Sequence, residues 1–479
     1  MKNNLNGDDL KREIGLFSAT VLVIANMVGT GIFTTSGYIM TELGDPHTLL
    51  LAWLFGGFFA LCGALCYGEL GARFPRAGGE YVFLRECFGR PMGFLSGWIS
   101  LIVGFSAPIA AAAIALATYL FHAFSIDTSP GMTVTVFGVQ MAKLTWVNLT
   151  AVLTIIGFSL LHYHSLATGS RVQNWLTLFK IGLLLVFIAA GFLFGNGSIQ
   201  HFTPQPGSGG FSMEGFAVSL IFVAFAYSGW NAAAYLGGEI RKPQRNIPLA
   251  LTIGTLVVVC LYLLINALYI YAMPASRMGD VLDVGAKSAV FLFGDAISRY
   301  FSAAVALGLL SVLSAMILTG PRVYYAMSRD GVFFTRFARV SKKRRTPAAS
   351  IFLQAAIAIL MVLTSTFNTL LVYIGFTLSI FAVLTVIGMM RIRRLRPDKT
   401  PVYKTFGYPV TPLIFILGNL WIVIFSIKSR PLASLFGLAT IAAGILLYTL
   451  FTLRQNRSDP AEAAKEPVNL ENLSITLES

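Results

Sequence analysis

Two short glycine-containing stretches interrupt long apolar segments at a similar depth. Gly29-Thr30-Gly31 lies in the middle of the first apolar run, and Ser228-Gly229-Trp230-Asn231 lies in the sixth. Small residues of this kind also allow close helix packing in membranes. However, two matched interruptions are typical of discontinuous helices whose unwound backbone forms a ligand site. The pair therefore predicts a binding site built from backbone groups.

The backbone of two broken helices can hold both charges of a zwitterion. If residues 29–32 are unwound, the following half-helix presents free N–H groups and the positive end of its dipole, which favour a carboxylate. The preceding half-helix ends in free carbonyls, which suit an ammonium, and residues 225–228 offer carbonyls of the same kind. A ligand with its two charges one carbon apart fits between them, and this points to an α-amino acid.

Lys180 is the third feature that could do chemistry, because it lies inside a predicted membrane segment. A lysine at such a depth is costly and is by default functional. Snorkelling of the side chain to the membrane surface is the alternative. Since Lys180 lies well inside the segment that begins near Asn174, we expect a functional role.

Long apolar runs must position these residues. The chain is 56% hydrophobic and 12% charged, whereas soluble domains are about one quarter charged. Each run can cross a hydrocarbon core of about 30 Å as a helix, and the runs are apolar all round rather than alternating. The sequence predicts an all-α membrane protein with twelve helices, near residues 15–43, 47–72, 91–124, 145–164, 173–195, 214–236, 247–272, 297–326, 347–366, 368–393, 411–428 and 431–453.

The basic residues indicate how these segments are oriented. With both termini cytoplasmic, one lysine lies in a segment, and six of the 35 Lys and Arg lie in outside loops: Lys143, Arg277, Lys287, Arg299, Lys428 and Arg430. This asymmetry follows the positive-inside rule. It predicts a multi-pass protein of the cell inner (plasma) membrane and explains the net charge of +14 without nucleic acid.

The order of the segments predicts an internal repeat. Five segments beginning with a broken helix are followed by five more that begin with a matching break, and this indicates inverted repeats over about 15–195 and 214–393. The predicted domain covers residues 15–453, with extra helices in 411–453. Residues 1–14 form a cytoplasmic segment, and residues 454–479 form a disordered cytoplasmic tail.

Five sequence blocks carry a resemblance to a known family. They are residues 28–33 (VGTGIF), 225–231 (FAYSGWN), 239–248 (EIRKPQRNIP), 69–98 and 321–331. Together they resemble the amino acid–polyamine–organocation (APC) superfamily, and most of all its L-type amino acid transporter (LAT) group with bacterial relatives. The resemblance spans segments one to ten and implies a LeuT-like fold that works by alternating access.

The resemblance implies which residues hold the substrate carboxylate. They are the backbone N–H groups of Thr30, Gly31 and Ile32, together with the Thr30 hydroxyl. Asn26 matches a polar side chain that lines the pocket in some relatives. Its alternative role is to join neighbouring helices.

The resemblance also implies an amine site and a gate. The carbonyls of Met27, Phe225 and Ser228 would hold the amine, and Phe225 would close over the site as an aromatic gate. Trp230 and Glu239 are further candidates for a gate or a loop brace. Local partners of Glu239 in the brace would be Arg241, Lys242 or Arg245.

Lys180 matches a fifth-helix lysine of this family that ties the first and eighth helices. It stands where sodium-coupled relatives bind an ion. Ser311 and Ser314 are its candidate partners, and both could equally be packing residues. Because a fixed ammonium would repel Na⁺, we expect sodium-independent transport.

The expected function is therefore sodium-independent transport of neutral L-amino acids, with exchange favoured over proton symport. Neutral substrates are expected because segments three, eight and ten contain no Asp or Glu in the membrane, and Ser228 favours small or medium side chains. A transporter-like amino acid sensor is the alternative of another class. An enzyme is not expected, since the membrane positions carry no nucleophile–base pair or metal-ligand cluster.

Few partners are expected beyond the amino acid and the surrounding lipid. We expect no cofactor, metal or nucleic acid, and a monomer or weak homo-oligomer. Relatives with a heavy subunit carry a cysteine in the loop after segment three, whereas residues 125–144 contain none. The sequence therefore predicts that no disulfide-linked heavy subunit is present.

Overall fold

The computed structural model describes residues 12–126, 131–136, 139–164, 166–203, 211–279, 281–338, 347–395 and 403–458. The helices of the first half are α1 Leu16–Met27, α2 Thr30–Leu43, α3 Pro46–Arg73, α4 Glu80–Phe88, α5 Arg90–Ile99, a π-helix Ser100–Ser106, α6 Ala107–Phe124, α7 Trp146–His164 and α8 Leu166–Phe194. Those of the second half are α9 Met213–Tyr227, α10 Ala232–Tyr235, α11 Pro243–Ala272, α12 Ala275–Met278, α13 Val284–Phe293, α14 Asp295–Arg329, α15 Ala348–Thr364, α16 Phe367–Leu395, α17 Val410–Ser429 and α18 Pro431–Ser458. Single 3-10 turns lie at Ile199–Phe202 and Thr335–Ala338.

Within these ranges, ten helical spans are long and apolar enough to cross a membrane. Three shorter apolar helices accompany them: α9, α13 and α15. Two of the three, α9 and α15, coincide with the predicted sixth and ninth segments. The chain is thus a multi-pass, helical membrane protein. The predicted tail, 454–479, begins inside α18, which continues to Ser458, and its other residues lie outside the described ranges.

The connections contain structure that the hydrophobic pattern did not predict. Strands β1 Gly131–Val136 and β2 Val139–Thr145 form a small antiparallel hairpin between α6 and α7, while the membrane body is helical, as predicted. Helix α4 connects α3 to α5, and α13 connects α11 to α14. Each of these short helices ends at a glycine with positive φ, Gly89 (94°) or Gly294 (86°), and is followed by a span of 35 residues.

The π-helix in the third span has a local cause. Pro108 lacks an N–H group and so cannot donate to the turn before it, and the Ser106 hydroxyl donates to the Leu101 carbonyl at 2.6 Å. Turns of this kind occur often at functional sites. Here Ser100, Gly104 and Phe105 of the widened turn face a cavity.

The broken helices lie at the centre of the bundle. Helix α1 packs against α11, α2 packs against α9, and the long α14 packs against both α6 and α8. Helices α16, α17 and α18 pack against one another beside this group. The two interruptions are therefore enclosed by protein, which is the condition under which non-helical backbone is tolerated at membrane depth.

Candidate functional site

The first break is shorter than the predicted stretch of residues 29–32. Helix α1 ends at Met27, Val28 and Gly29 are non-helical, and α2 begins at Thr30. The first four N–H groups of an α-helix have no partner within the helix. The N–H groups of Thr30, Gly31 and Ile32 therefore remain free of helical bonds, although these residues are helical rather than unwound.

The second break depends on one glycine. Helix α9 ends at Tyr227, and Gly229 has a φ of +92° before the short α10 begins at Ala232. A Cβ at Gly229 would lie 2.8 Å from the Asn26 carbonyl oxygen. A residue with a side chain is therefore disfavoured at position 229, both by the left-handed backbone conformation and by the close approach of α1.

The two breaks touch each other. A Cβ at Gly31 would lie 2.5 Å from the Cα of Ala226, so α2 and α9 approach as closely as glycine allows. The Tyr262 hydroxyl of α11 lies 2.6 Å from the Met27 carbonyl and 3.1 Å from the Ala226 carbonyl. A carbonyl oxygen has two lone pairs, so the Met27 carbonyl retains one acceptor position.

Lys180 reaches the first break from α8 and does not snorkel. Its side chain is fully buried, and its ammonium donates to the Ala25 carbonyl at 3.2 Å and to the Val28 carbonyl. Its aliphatic part packs on α14, because a Cβ at Gly308 would lie 3.3 Å from the Lys180 Cγ. Lys180 therefore contacts both the first and the eighth predicted segments.

The serines expected beside Lys180 make other contacts. The Ser311 hydroxyl donates to the Gly308 carbonyl at 2.7 Å, and the Ser314 hydroxyl lies 2.9 Å from Nε2 of His162, which is buried. Neither serine hydrogen-bonds Lys180 in the part of the chain that the structure describes, and both are buried in the packed core. Backbone carbonyls of α1 take their place because they are the unpaired acceptors nearest to the ammonium.

A cavity of about 110 Å³ lies beside the breaks, lined by residues of α1, α3, α4, the π-helix, α9, α10, α14, α16 and α17. Among the predicted site residues, Asn26, Ser228 and Trp230 line it. The Asn26 amide also donates to the Leu22 carbonyl of its own helix at 2.9 Å. The Trp230 ring stands 4.6 Å from that of Tyr67 and forms part of the wall.

The other backbone-site residues lie in the packed core next to this cavity. They are Met27, Thr30, Gly31, Ile32 and Phe225, all of which are buried. The hydroxyls of Tyr119 and Tyr269 donate to the Phe33 and Ile32 carbonyls at 2.8 and 3.3 Å and hold the first turn of α2 in place. The cavity thus extends from the breaks toward α4 and α10, while the α2 side is closed.

Comparison with known proteins identifies the family. Residues 14–451 match the amino acid permease family. The chain belongs to this family. It is 28% identical over 460 residues to the b(0,+)-type amino acid transporter 1 of Mus musculus, covering 93% of this chain and 89% of that protein. It is 29% identical over 441 residues to the serine/threonine exchanger SteT of Bacillus subtilis, covering 90% and 95%.

A human relative is similar to this chain over nearly its whole length. The large neutral amino acids transporter small subunit 2 of Homo sapiens is 28% identical over 463 residues, covering 94% of this chain and 82% of that protein. The resemblance to the APC superfamily and its LAT-type members is therefore confirmed. At the coarse level the permease is a membrane transport protein and not an enzyme.

The loop after the second break is braced to a distant helix rather than locally. Glu239 Oε1 lies 3.5 Å from Nε of Arg322 on α14, which replaces the expected Arg241, Lys242 or Arg245 as the partner. The same loop forms a bridge with the N-terminal segment, since Ile14 N donates to the Glu239 carbonyl at 3.0 Å. The brace thus joins α10, α14 and the start of the chain.

Several residues that line the cavity of the permease were not among the predicted site residues. Glu80, Tyr235 and Thr319 line the cavity, as does Asn419 of α17. Glu80 was detectable in principle, because it is a carboxylate that directly follows a Gly-Gly pair between two apolar spans. The contribution of α17 could not be predicted, because segment eleven contains no interruption that would indicate a binding site.

Proposed function

We propose that the permease exchanges neutral L-amino acids across the cell inner (plasma) membrane by alternating access, without sodium. The observation that carries the proposal is the meeting of the two breaks, where Gly31 lies against Ala226 and Gly229 lies against Asn26 beside a cavity. Broken helices that meet around a ligand-sized space are the usual substrate site of secondary transporters. The membership of the amino acid permease family supports the same substrate class.

The first turn of α2 is the proposed carboxylate site. The N–H groups of Thr30, Gly31 and Ile32 would bind the carboxylate, assisted by the Thr30 hydroxyl and the positive end of the helix dipole. The free lone pair of the Met27 carbonyl would take part in binding the amine. Helix α2 would have to move slightly away from α9 to admit the ligand, because Thr30, Gly31 and Ile32 are buried in this conformation.

The second break supplies the rest of the proposed amine site. The Phe225 carbonyl accepts from the Ser228 N–H at 2.9 Å and retains one acceptor position. Together with the Ser228 carbonyl it would complete the amine site, and the Phe225 ring would act as the gate. Asn26 and Trp230 would line the side-chain pocket, since both face the cavity.

The proposed fold is a LeuT-like pair of inverted repeats with twelve membrane-spanning helices. Its support is the matched order of features in the two halves: a broken helix, a long helix, a short connecting helix (α4 or α13) and then a span of 35 residues. The matched glycines, Gly89 and Gly294, stand at equivalent places. Because each half has five helices, the second would enter from the opposite face, with both termini cytoplasmic.

Sodium independence rests on Lys180. In sodium-coupled transporters the carbonyls at the C-terminal end of a half-helix coordinate the ion. Here the Ala25 and Val28 carbonyls already bind the Lys180 ammonium. A second cation at the same oxygens would be repelled, so the lysine would act as a permanent replacement for the ion.

We propose that the substrates are amino acids with neutral side chains of small or medium size. The cavity lining contains no Lys or Arg among the residues that the structure describes, and Glu80 is the single acidic residue in it. Ser228 faces the cavity and reduces its width compared with glycine.

We also propose that the protein is a monomer or weak homo-oligomer. A disulfide-linked heavy subunit is not proposed, because residues 125–144 contain no cysteine.

The test is uptake of labelled L-serine, L-alanine and L-leucine into proteoliposomes in sodium-free buffer, with and without internal unlabelled amino acid. Uptake that depends on internal amino acid supports exchange. Uptake into empty vesicles under an inward proton gradient would replace exchange by proton symport. Binding without any flux would mean that the protein is a sensor and would reject transport.

A further inference from the structure

Glu80 is delivered to the edge of the cavity by a tight turn. It is the first residue of α4, outside the membrane spans, and follows Gly78 and Gly79, whose φ values are +117° and +53°. A Cβ at Gly79 would lie 2.5 Å from Cδ1 of Tyr235 on α10. The turn therefore places Glu80 against α10, where it is 6% exposed and lines the cavity.

The neighbours of the Glu80 carboxyl are neutral hydroxyls. The Thr385 hydroxyl of α16 lies 3.2 Å from Oε1, and the phenols of Tyr67 and Tyr235 also stabilise the charged form. The buried Tyr67 hydroxyl lies near enough to the carboxyl to favour its charged form, although the two do not form a hydrogen bond of good geometry in this conformation. Tyr235 in turn accepts from the Asn231 amide of the second break at 3.4 Å. The carboxyl is thus connected to the broken helix through hydroxyl groups.

Charged groups on the surrounding elements are paired elsewhere. On α4, Arg85 pairs with Asp330. On α3 and α16, Glu69 and Arg393 form a two-point ion pair with distances of 2.8 and 2.6 Å. No ion pair of Glu80 occurs within the described ranges. Burial consequently raises the pKa of Glu80 to about 7, and the hydroxyls of Tyr67, Thr385 and Tyr235 offset only part of this effect.

An ionised Glu80 is tolerable in an open, hydrated cavity but not in a closed one. Removing water from a carboxylate without a cationic partner costs several kcal/mol. Alternating access requires the cavity to close around its substrate. Resting on the exchange activity proposed above, we propose that Glu80 is a proton-binding site of the substrate cavity and must be neutral before the cavity closes around the amino acid. The proton comes from cavity water and adds to one carboxylate oxygen.

The closing experiment measures exchange of labelled L-serine in proteoliposomes with equal pH on both sides, from acid to alkaline. Because a raised pKa keeps Glu80 neutral below it, the wild-type rate should be constant in acid and fall as pH rises through about 7. Glu80→Gln should make the rate independent of pH over that range. Glu86→Gln is the matched control: Glu86 lies on the same helix, pairs with Arg85 and does not line the cavity, so the wild-type profile should persist.

A second variant covers the case in which Glu80→Gln is inactive. The Thr385 hydroxyl favours the ionised carboxylate, so Thr385→Val should raise the pKa of Glu80 and move the fall in rate to higher pH. An unchanged midpoint in Thr385→Val would overturn the assignment, as would a wild-type profile in Glu80→Gln. Absence of wild-type exchange at every pH would instead reject the proposed function, and this inference with it.

Discussion

Gly31 lies so close to Ala226 that a methyl group at Gly31 would stand 2.5 Å from the Ala226 Cα and 2.6 Å from its Cβ. The first turn of α2, which carries the proposed carboxylate site, is therefore also the point where the two broken helices pack. A substitution here separates two elements that transport would require to move relative to each other.

Gly31→Ala should consequently destabilise the protein and abolish exchange. Overpacking of a tight interface costs about 1–3 kcal/mol, which exceeds the helix propensity that alanine adds. Thermal unfolding in detergent and serine exchange would measure the two effects. Gly29→Ala is the matched control, since a Cβ there meets Val312 at an ordinary distance of 3.7 Å. Equal behaviour of the two variants would contradict the packing explanation.

The spans and the breaks could be predicted from sequence because their causes are local. Apolar length determines a membrane span, and glycines marked both interruptions. The hydrogen-bond partners of Lys180 could not be predicted, because they are backbone carbonyls. Every residue has a carbonyl, so no residue type in the sequence marks the ones that bind the ammonium. Sequence proximity suggests only neighbouring partners for Glu239, whereas Arg322 is brought to it from α14 by the tertiary fold. Glu80 enters the cavity only because the turn at Gly78 and Gly79 directs it there.

Tyr262→Phe should weaken the connection between the breaks. Its hydroxyl contacts the carbonyls of both Met27 and Ala226, and side-chain hydrogen bonds within membranes contribute about 0.6 kcal/mol each. We expect a modest fall in unfolding temperature but a larger fall in exchange rate, because the relative position of the breaks changes. Tyr269→Phe, which loses one bond to the Ile32 carbonyl, is the comparison. A greater loss of exchange in Tyr269→Phe would contradict a special role for Tyr262.

Ser228→Gly should admit larger substrates. The residue lines the cavity at the second break, and removing a small side chain changes discrimination by about tenfold in a tight pocket. Inhibition of labelled serine exchange by unlabelled leucine, relative to alanine, would measure the change. Thr319→Ser, which also shortens a cavity-lining side chain but on α14, is the matched control. Unchanged leucine inhibition in Ser228→Gly would place the substrate side chain away from Ser228.

Lys180→Met should leave a folded protein with little exchange. The substitution keeps the aliphatic packing on Gly308 but removes the charged donor from the Ala25 and Val28 carbonyls. Hydrogen bonds of charged groups contribute about 1.5–3 kcal/mol each, so the break in α1 should lose its fixed geometry and exchange should fall at least about tenfold.

Lys428→Met is the matched control for this variant, because Lys428 is 66% exposed and pairs with Glu214 at 3.4 Å. Its exchange rate should equal that of wild type. Both variants should be measured in sodium and in choline buffer, since the freed carbonyls in Lys180→Met are the oxygens that a sodium ion would use. Wild-type exchange should be the same in both buffers. Full activity of Lys180→Met in choline would show that the ammonium is not needed at the break, and the lysine would then be a packing residue alone.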